Sequence, residues 1–225
     1  MSWLVIERSR VKPHRPYYQI AKRLLDLSIC VALAPFLVPV ALILAIIIRL
    51  DSPGPAIFVQ ERIGKDGRPF NFYKFRTMYH NIDRDSHRSF MKAFVNGKVE
   101  LSAHQTLQVF KPSHEAHVTL VGRILRRTSL DELPQLINVI KGEMSLVGPR
   151  PNVVWEVEEY KGWHNERLEV LPGITGLAQV RGRSGILFDE IVQYDIEYLK
   201  RRSLKFDLQV LWWTVISVVL GKGAR

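Results

Sequence analysis

The sequence predicts a mostly helical α+β fold attached to a membrane by one re-entrant, helix-break-helix segment, which makes it a monotopic membrane protein. Three observations lead there. A single apolar run extends from Leu27 to Ile48 with only Ser28 polar. Pro35 and Pro39 stand in the middle of that run, and basic residues flank both of its ends. The remaining sequence alternates short strand-like and helix-like stretches and closes with a second apolar stretch, Leu208 to Leu220.

The apolar run would cover roughly 33 Å as a helix at about 1.5 Å per residue, close to the roughly 30 Å of a bilayer core. It starts too far from Met1 for a secretory signal and is followed by Arg49, Asp51 and Pro53 rather than small cleavage-site residues. Each proline removes a helical N–H and crowds the carbonyl four residues back, so a kink or break is expected at Pro35 and Pro39. Arg8, Arg10, Lys12, Arg15, Lys22 and Arg23 precede the run, and Arg49 with a basic domain follows it. A spanning helix would put one of these sets outside, against the positive-inside bias. A helix that enters, bends and leaves by the same face satisfies both observations; a single-span anchor is the simpler alternative. The chain then divides into a basic tail (1–19), a re-entrant helix (20–50), a cytoplasmic domain (51–205) and a C-terminal interfacial helix (206–225).

Asp51-Ser52-Pro53-Gly54-Pro55 closes the membrane segment. Ile57-Phe58-Val59 and Phe70 to Phe75 read as strands around the turn Gly64-Lys65-Asp66-Gly67. Residues 83–118 are polar and His-rich without periodicity, and are expected to form a long loop with some helix. Helices are expected over Val121–Arg127, Leu133–Ile140 (ending at Gly142), Val153–Tyr160 and Phe188–Arg201, with a loop at Pro172-Gly173-Ile174-Thr175-Gly176. The stretch Leu208–Leu220 is too short to span. Its Trp212 and Trp213, with Lys205 and Lys222 nearby, suit a helix in the headgroup layer, and packing on the core is the alternative.

Composition narrows the function. A hydrophobic fraction of 47% argues against disorder, and a mean hydropathy of -0.02 argues against a polytopic transporter. The lone cysteine, Cys30, rules out an internal disulfide framework. A net charge of +10 calls for an anionic partner: nucleic acid, anionic lipid or a phosphate-rich substrate.

The tightest acidic feature is Asp131-Glu132. Ser129 and Glu132 have capping-box spacing, but Pro134 fits that reading poorly. Arg123, Arg126 and Arg127 come just before the pair. Such a carboxylate stays ionised and can bind Mg2+ or attack phosphorus, while arginines hold phosphate oxygens. Lys74 and Arg76 alternate on one strand and so share a face. Arg150 stands between Pro149 and Pro151, which restrict its backbone, and Arg181-Gly182-Arg183 follows a turn that can present N–H groups to an anion. These cations recur beside chain breakers, as a distributed phosphate clamp would require. His114-x-x-His117 lacks further ligands at metal spacing, so zinc is not expected.

Together these residues resemble a known family. The similarity runs through Lys22-Arg23-Leu24-Leu25-Asp26, Gly54 to Gly64, Tyr73-Lys74-Phe75-Arg76-Thr77-Met78, Ser129 to Gln135, Met144 to Pro151 and Pro172 to Val180, in order, covering nearly all of Lys22 to Leu220. It resembles the bacterial sugar transferases called monotopic phosphoglycosyl transferases (polyprenyl-phosphate hexose-1-phosphate transferases). The resemblance implies transfer of a sugar 1-phosphate from a UDP-sugar to undecaprenyl phosphate, with UMP released and a surface polysaccharide or glycoconjugate begun. It implies Asp131 as nucleophile, forming a phosphosugar–aspartyl intermediate with Mg2+ held at Asp131, and Glu132 as assistant, a base for the incoming lipid phosphate. Lys74, Arg76, Arg126, Arg150, Arg181 and Asp195 are the expected substrate-phosphate site. The expected partners are the two substrates and membrane lipids, with no nucleic acid and a homodimer left open. The expected location is the cytoplasmic face of the bacterial inner membrane, in a short, essentially catalytic form.

Three departures stand out. Val38-Pro39 replaces the family's usual Ser-Pro at the helix break; Glu115-Ala116-His117-Val118-Thr119 replaces an Asp-Pro-Arg-like stretch; and 83–118 is longer than in minimal members. Two rival classes remain. A membrane-anchored nucleic-acid binder should interleave aromatics with Lys and Arg, which this chain does not do. A non-catalytic basic membrane scaffold leaves Asp131, Glu132 and Arg150 without a role.

Overall fold

The computed structural model describes residues 16–79, 92, 94–97, 117–182 and 186–220. Most of the expected 83–118 loop, the tail before Pro16, His114 and Arg183 lie outside the described residues.

The first element, α1 (Pro16–Asp51), contains both prolines. Helical backbone continues through both prolines, so of the expected kink or break the break is absent. The reason lies in their spacing. Missing donors four residues apart fall on one helix face, and the other faces keep their hydrogen-bond ladder. The helix is long and apolar enough to cross a membrane, and only 6% of its most apolar window is buried against the rest of the chain.

Both ends of α1 nevertheless dock on the same domain. At the N-terminal end, Tyr18 donates to Asp207 (2.8 Å) and Lys22 pairs with the same carboxylate (3.1 Å). Arg23 donates to the carbonyls of Val139 and Ile140. Asp26 accepts from the Ser145 hydroxyl at 2.7 Å. At the other end, Ile48 packs with Phe75 and Leu125 while Ala41, Leu44 and Ala45 line the same cluster. Between these anchors Val31, Leu33, Phe36, Val38 and Val40 face outward, Phe36 at 72% exposure.

Strands β1 (Ile57–Ile63) and β2 (Pro69–Phe75) pair antiparallel as expected, with Ile57 opposite Phe75 and Ile63 opposite Pro69. After the undescribed segment come α2 (Leu120–Thr128), a 3-10 turn at Leu130–Glu132 and α3 (Gln135–Lys141). Gly142, left-handed at φ 82, ends α3 as the sequence suggested.

The stretch expected as a loop at 172–176 holds a strand. β3 (Ser145–Val147) pairs parallel with β4 (Gly173–Thr175). A Cβ on Gly173 would lie 2.1 Å from the Gly148 nitrogen, so this approach requires glycine. The Pro-Gly that reads as a turn is what lets two short strands meet.

Helix α4 (Val154–Val157) is shorter than expected, and a 3-10 stretch follows at Gly162–Glu169. After α5 (Leu177–Arg181), helix α6 (Phe188–Arg201) has the bounds the sequence predicts, with the Glu190 side chain accepting from the Leu187 N–H at its start. Helix α7 (Leu204–Val219) begins earlier than expected, capped by Ser203. One of its faces packs on the core, as the alternative reading expected. Phe206 and Val210 enter the main core with Phe72, Met144, Leu177 and Tyr198, while Leu208, Trp212 and Val215 face out.

Candidate active site

The site forms where β2, α2 and the 3-10 turn meet. Thr119 caps α2 by accepting from the Gly122 N–H at 2.9 Å. Gly122 lies so close to β2's continuation that a Cβ there would stand 2.1 Å from the Thr77 carbonyl oxygen. This contact seats α2 and brings Arg126 over Thr77, whose hydroxyl accepts from Nε at 2.9 Å.

Ser129 then adopts φ 58, a left-handed backbone rarely tolerated by a residue with a side chain. Its hydroxyl makes no capping bond. The capping-box reading of Ser129 and Glu132 is therefore wrong; the sharp turn at Ser129 redirects the chain so that Leu130 and Leu133 anchor in the core and the acidic pair turns toward β2.

Asp131 is buried at 3% exposure, and the Lys74 ammonium meets Oδ2 at 2.6 Å. Glu132 pairs with Arg150 at 2.8 Å. Burial pushes the Glu132 carboxyl up, but Arg150 and then Lys74 outweigh it and hold the group below the ordinary glutamate value. Burial lowers the Lys74 ammonium, with Asp131 working against that. Burial likewise lowers Arg126, again opposed by Asp131. Glu132 raises Arg150, to which Asp131 adds. Two adjacent carboxylates thus share a field of three cations, Lys74 from β2, Arg126 from α2 and Arg150 from the loop after β3.

Three other predicted residues are placed elsewhere. Arg76 is buried and donates to the carbonyls of Pro53 (2.6 Å), Ser52 (2.6 Å) and Ile48 (3.3 Å) and to the Ser52 hydroxyl (3.0 Å). It staples the end of α1 to β2, because free carbonyls at a helix C-terminus attract a guanidinium. Arg181 pairs with Glu197 at 3.2 Å and lies over the Trp213 ring at 5.2 Å. Asp195 is buried against Arg167 at 2.7 Å. Burial raises its carboxyl to about 6, with Arg167 pulling the other way. None of these three contacts involves the acidic pair.

Two arginines that no motif singles out, Arg167 and Arg62, grip the carbonyls of Arg150 and of Pro151. No local pattern marks them, since their partners are carbonyls far away in the chain. Among the described residues no three His, Cys, Asp or Glu side chains gather as a metal cage. The Asp131-Glu132 pair instead suits an ion held by one or two carboxylates and completed by substrate phosphate and water, the manner of magnesium.

The sequence pattern of bacterial sugar transferases matches residues 17–221. The chain belongs to the bacterial sugar transferase family. Similar relatives include the galactosyl transferase CpsE of Streptococcus agalactiae, 41% identical over 96% of this chain and 46% of the relative. The UDP-glucose:undecaprenyl-phosphate glucose-1-phosphate transferase of Escherichia coli is 37% identical over 92% of this chain and 42% of its own length. The chain spans just under half the length of these two. The exopolysaccharide production protein ExoY of Sinorhizobium fredii matches more fully, 37% identical over 93% of this chain and 90% of its own. For a bacterial sugar transferase, then, the matched region contains α1, the acidic pair and every cation around it.

Proposed function

We propose that the chain transfers a sugar 1-phosphate from a UDP-sugar to undecaprenyl phosphate, releases UMP and so begins a surface polysaccharide. The observation that carries this reading is the buried Asp131 and half-buried Glu132 gathered with Lys74, Arg126 and Arg150. Named activities among the relatives support the substrate classes, as in the E. coli transferase.

In the first step an Asp131 carboxylate oxygen attacks the phosphorus that bears the sugar. The bond from that phosphorus to the bridging oxygen breaks, and UMP leaves with the electron pair. In the second step a phosphate oxygen of undecaprenyl phosphate attacks the same phosphorus and returns Asp131 to its carboxylate. Lys74 orients Asp131 through Oδ2, leaving Oδ1 for the attack. Arg126 and Arg150 offset charge on the diphosphate. One cation about 4 Å from a phosphate oxygen contributes roughly 4 kcal/mol at an effective dielectric near 20. Magnesium bound at Asp131, with Glu132 beside it, would supply further charge neutralisation at the substrate phosphates. Glu132, held ionised by Arg150, is a weak base; its main role in this reading is to fix Arg150.

The apolar α1 enters the cytoplasmic leaflet and returns, which is supported by the docking of both its ends on one domain. The outward Leu208, Trp212 and Val215 of α7 rest in the headgroup layer. The active site then faces the cytoplasm at the inner membrane, at the height of the lipid phosphate.

The test incubates the protein with a panel of UDP-sugars, undecaprenyl phosphate and Mg2+ and reads UMP. Asp131→Asn is expected to end UMP release without loss of membrane association. Donor alone should leave a hydroxylamine-labile phosphosugar on Asp131; an active enzyme with no such adduct refutes the two-step scheme.

A further inference from the structure

Arg150 sits in a stretch of backbone whose restraint is unusual. Four consecutive carbonyls, Pro149 to Asn152, each accept a hydrogen bond, from β4, from the 3-10 stretch at Gly162–Glu169 and from two neighbouring residues of β1. The Gly173 N–H reaches Pro149 at 2.8 Å and the Ile63 N–H reaches Asn152 at 2.9 Å. The two central carbonyls are held by guanidiniums: Arg167 donates to Arg150 at 3.0 Å, and Arg62 donates to Pro151. Neither proline has an N–H of its own to offer.

Of the two, Arg62 is the costly one to place there, whereas the partners of Arg167 hold it above the ordinary arginine value against its burial. Arg167 is 3% exposed and also donates to Asn152 Oδ1 (2.9 Å) and the Tyr160 hydroxyl (3.0 Å) while pairing with Asp195. Arg62 lies over the Phe72 ring at 4.8 Å and donates to Gln60. Burial, and then the like charge of Arg150, push it down to about 10. Bringing two guanidiniums together opposes folding, and a neutral donor could hold a carbonyl more cheaply. What this arrangement gains is a fixed origin for the Arg150 side chain, which in turn reaches Glu132. Preorganised charge needs no reorganisation when charge moves in the transition state.

We propose that Arg62 and Arg167 are positioning residues that act through Arg150, holding its backbone so that its guanidinium meets the reacting phosphate. The kinetic part rests on the transfer reaction proposed above. Neither residue touches substrate in this scheme.

The experiment uses the full chain in detergent or nanodiscs, with Arg62→Lys and Arg167→Lys made separately in the parent and in Arg150→Lys. Lysine keeps the positive charge but loses the fork, and two variants guard against one failing to fold. The first readout is the Arg150 guanidinium signal in 15N-arginine-labelled protein, assigned by its loss in Arg150→Lys. Rotation about its Nε–Cζ bond is expected to be hindered in the parent and freed in both variants. The second readout is transfer kinetics. Each variant should lower kcat about tenfold with the UDP-sugar KM within twofold, and each should cost less than twofold in the Arg150→Lys background.

An unchanged Arg150 signal in the variants overturns the proposal. So do full, multiplicative losses in the Arg150→Lys background, which would mark a general packing role. If the parent transfers no sugar phosphate from any donor, the proposed function falls, while the guanidinium signal still decides whether Arg62 and Arg167 position Arg150.

Discussion

Replacing Arg150 with methionine removes the main cation that keeps Glu132 ionised in a partly buried place. The pair is 2.8 Å apart, with 18% of the glutamate side chain and 38% of the arginine side chain exposed. Removing one partner of a fully buried pair costs about 3–5 kcal/mol. The exposed share of Arg150 admits solvent screening, and Lys74 remains nearby, so about 2 kcal/mol is the fair expectation at pH 7. For a chain this size that lowers Tm by roughly 4–8 °C. The pH dependence carries the sharper test. In the parent the folded Glu132 value lies below the unfolded one, so its contribution is present above about pH 4.3 and is lost as pH falls through the folded value. In the variant, burial is left largely uncompensated and lifts the folded value above the unfolded one, so acidification favours the fold. The Tm gap between the two proteins should therefore narrow from pH 7 to pH 4. A gap that stays constant across that range refutes the assignment of Glu132 as the charge Arg150 offsets. Transfer should also fall by about a thousandfold, the rate equivalent of roughly 4 kcal/mol lost at the phosphate.

Other outcomes follow from the same geometry. Arg76→Met should lower Tm by roughly 6–12 °C, reflecting about 3 kcal/mol from buried carbonyls left without a charged donor, yet leave the UDP-sugar KM of the folded fraction unchanged; a raised KM would return Arg76 to the substrate site. Gly122→Ala should destabilise by about 3 kcal/mol in a denaturant titration, since its Cβ collides with the Thr77 backbone and α2 must shift. Tags placed before Lys22 and after Leu220 should both be labelled from the cytoplasmic side only, and labelling of the N-terminal tag from outside would mean a spanning helix.

Much of this protein is decided by local pattern. A long apolar run needs no tertiary information to form a helix, because every backbone donor finds its acceptor within the segment. The hairpin of β1 and β2 and the bounds of α6 likewise follow from side-chain periodicity and turn residues within a few positions of each other. The acidic pair and its cations were legible because charge of one sign beside charge of the other is itself a chemical statement. Other features depended on contacts between distant residues. Arg76 and Arg181 have the right chemistry for a phosphate site, and the family resemblance put Asp195 beside them, but their side chains are claimed by α1 carbonyls, by Glu197 and Trp213, and by Arg167. Ser129 shows its strained backbone, and Gly173 its strand, only once the neighbours that impose them are in place. Short-range sterics and hydrophobic spacing are written along the chain; which carbonyl a guanidinium finds depends on how that chain is packed, and Arg62, Arg76 and Arg167 are where the difference falls.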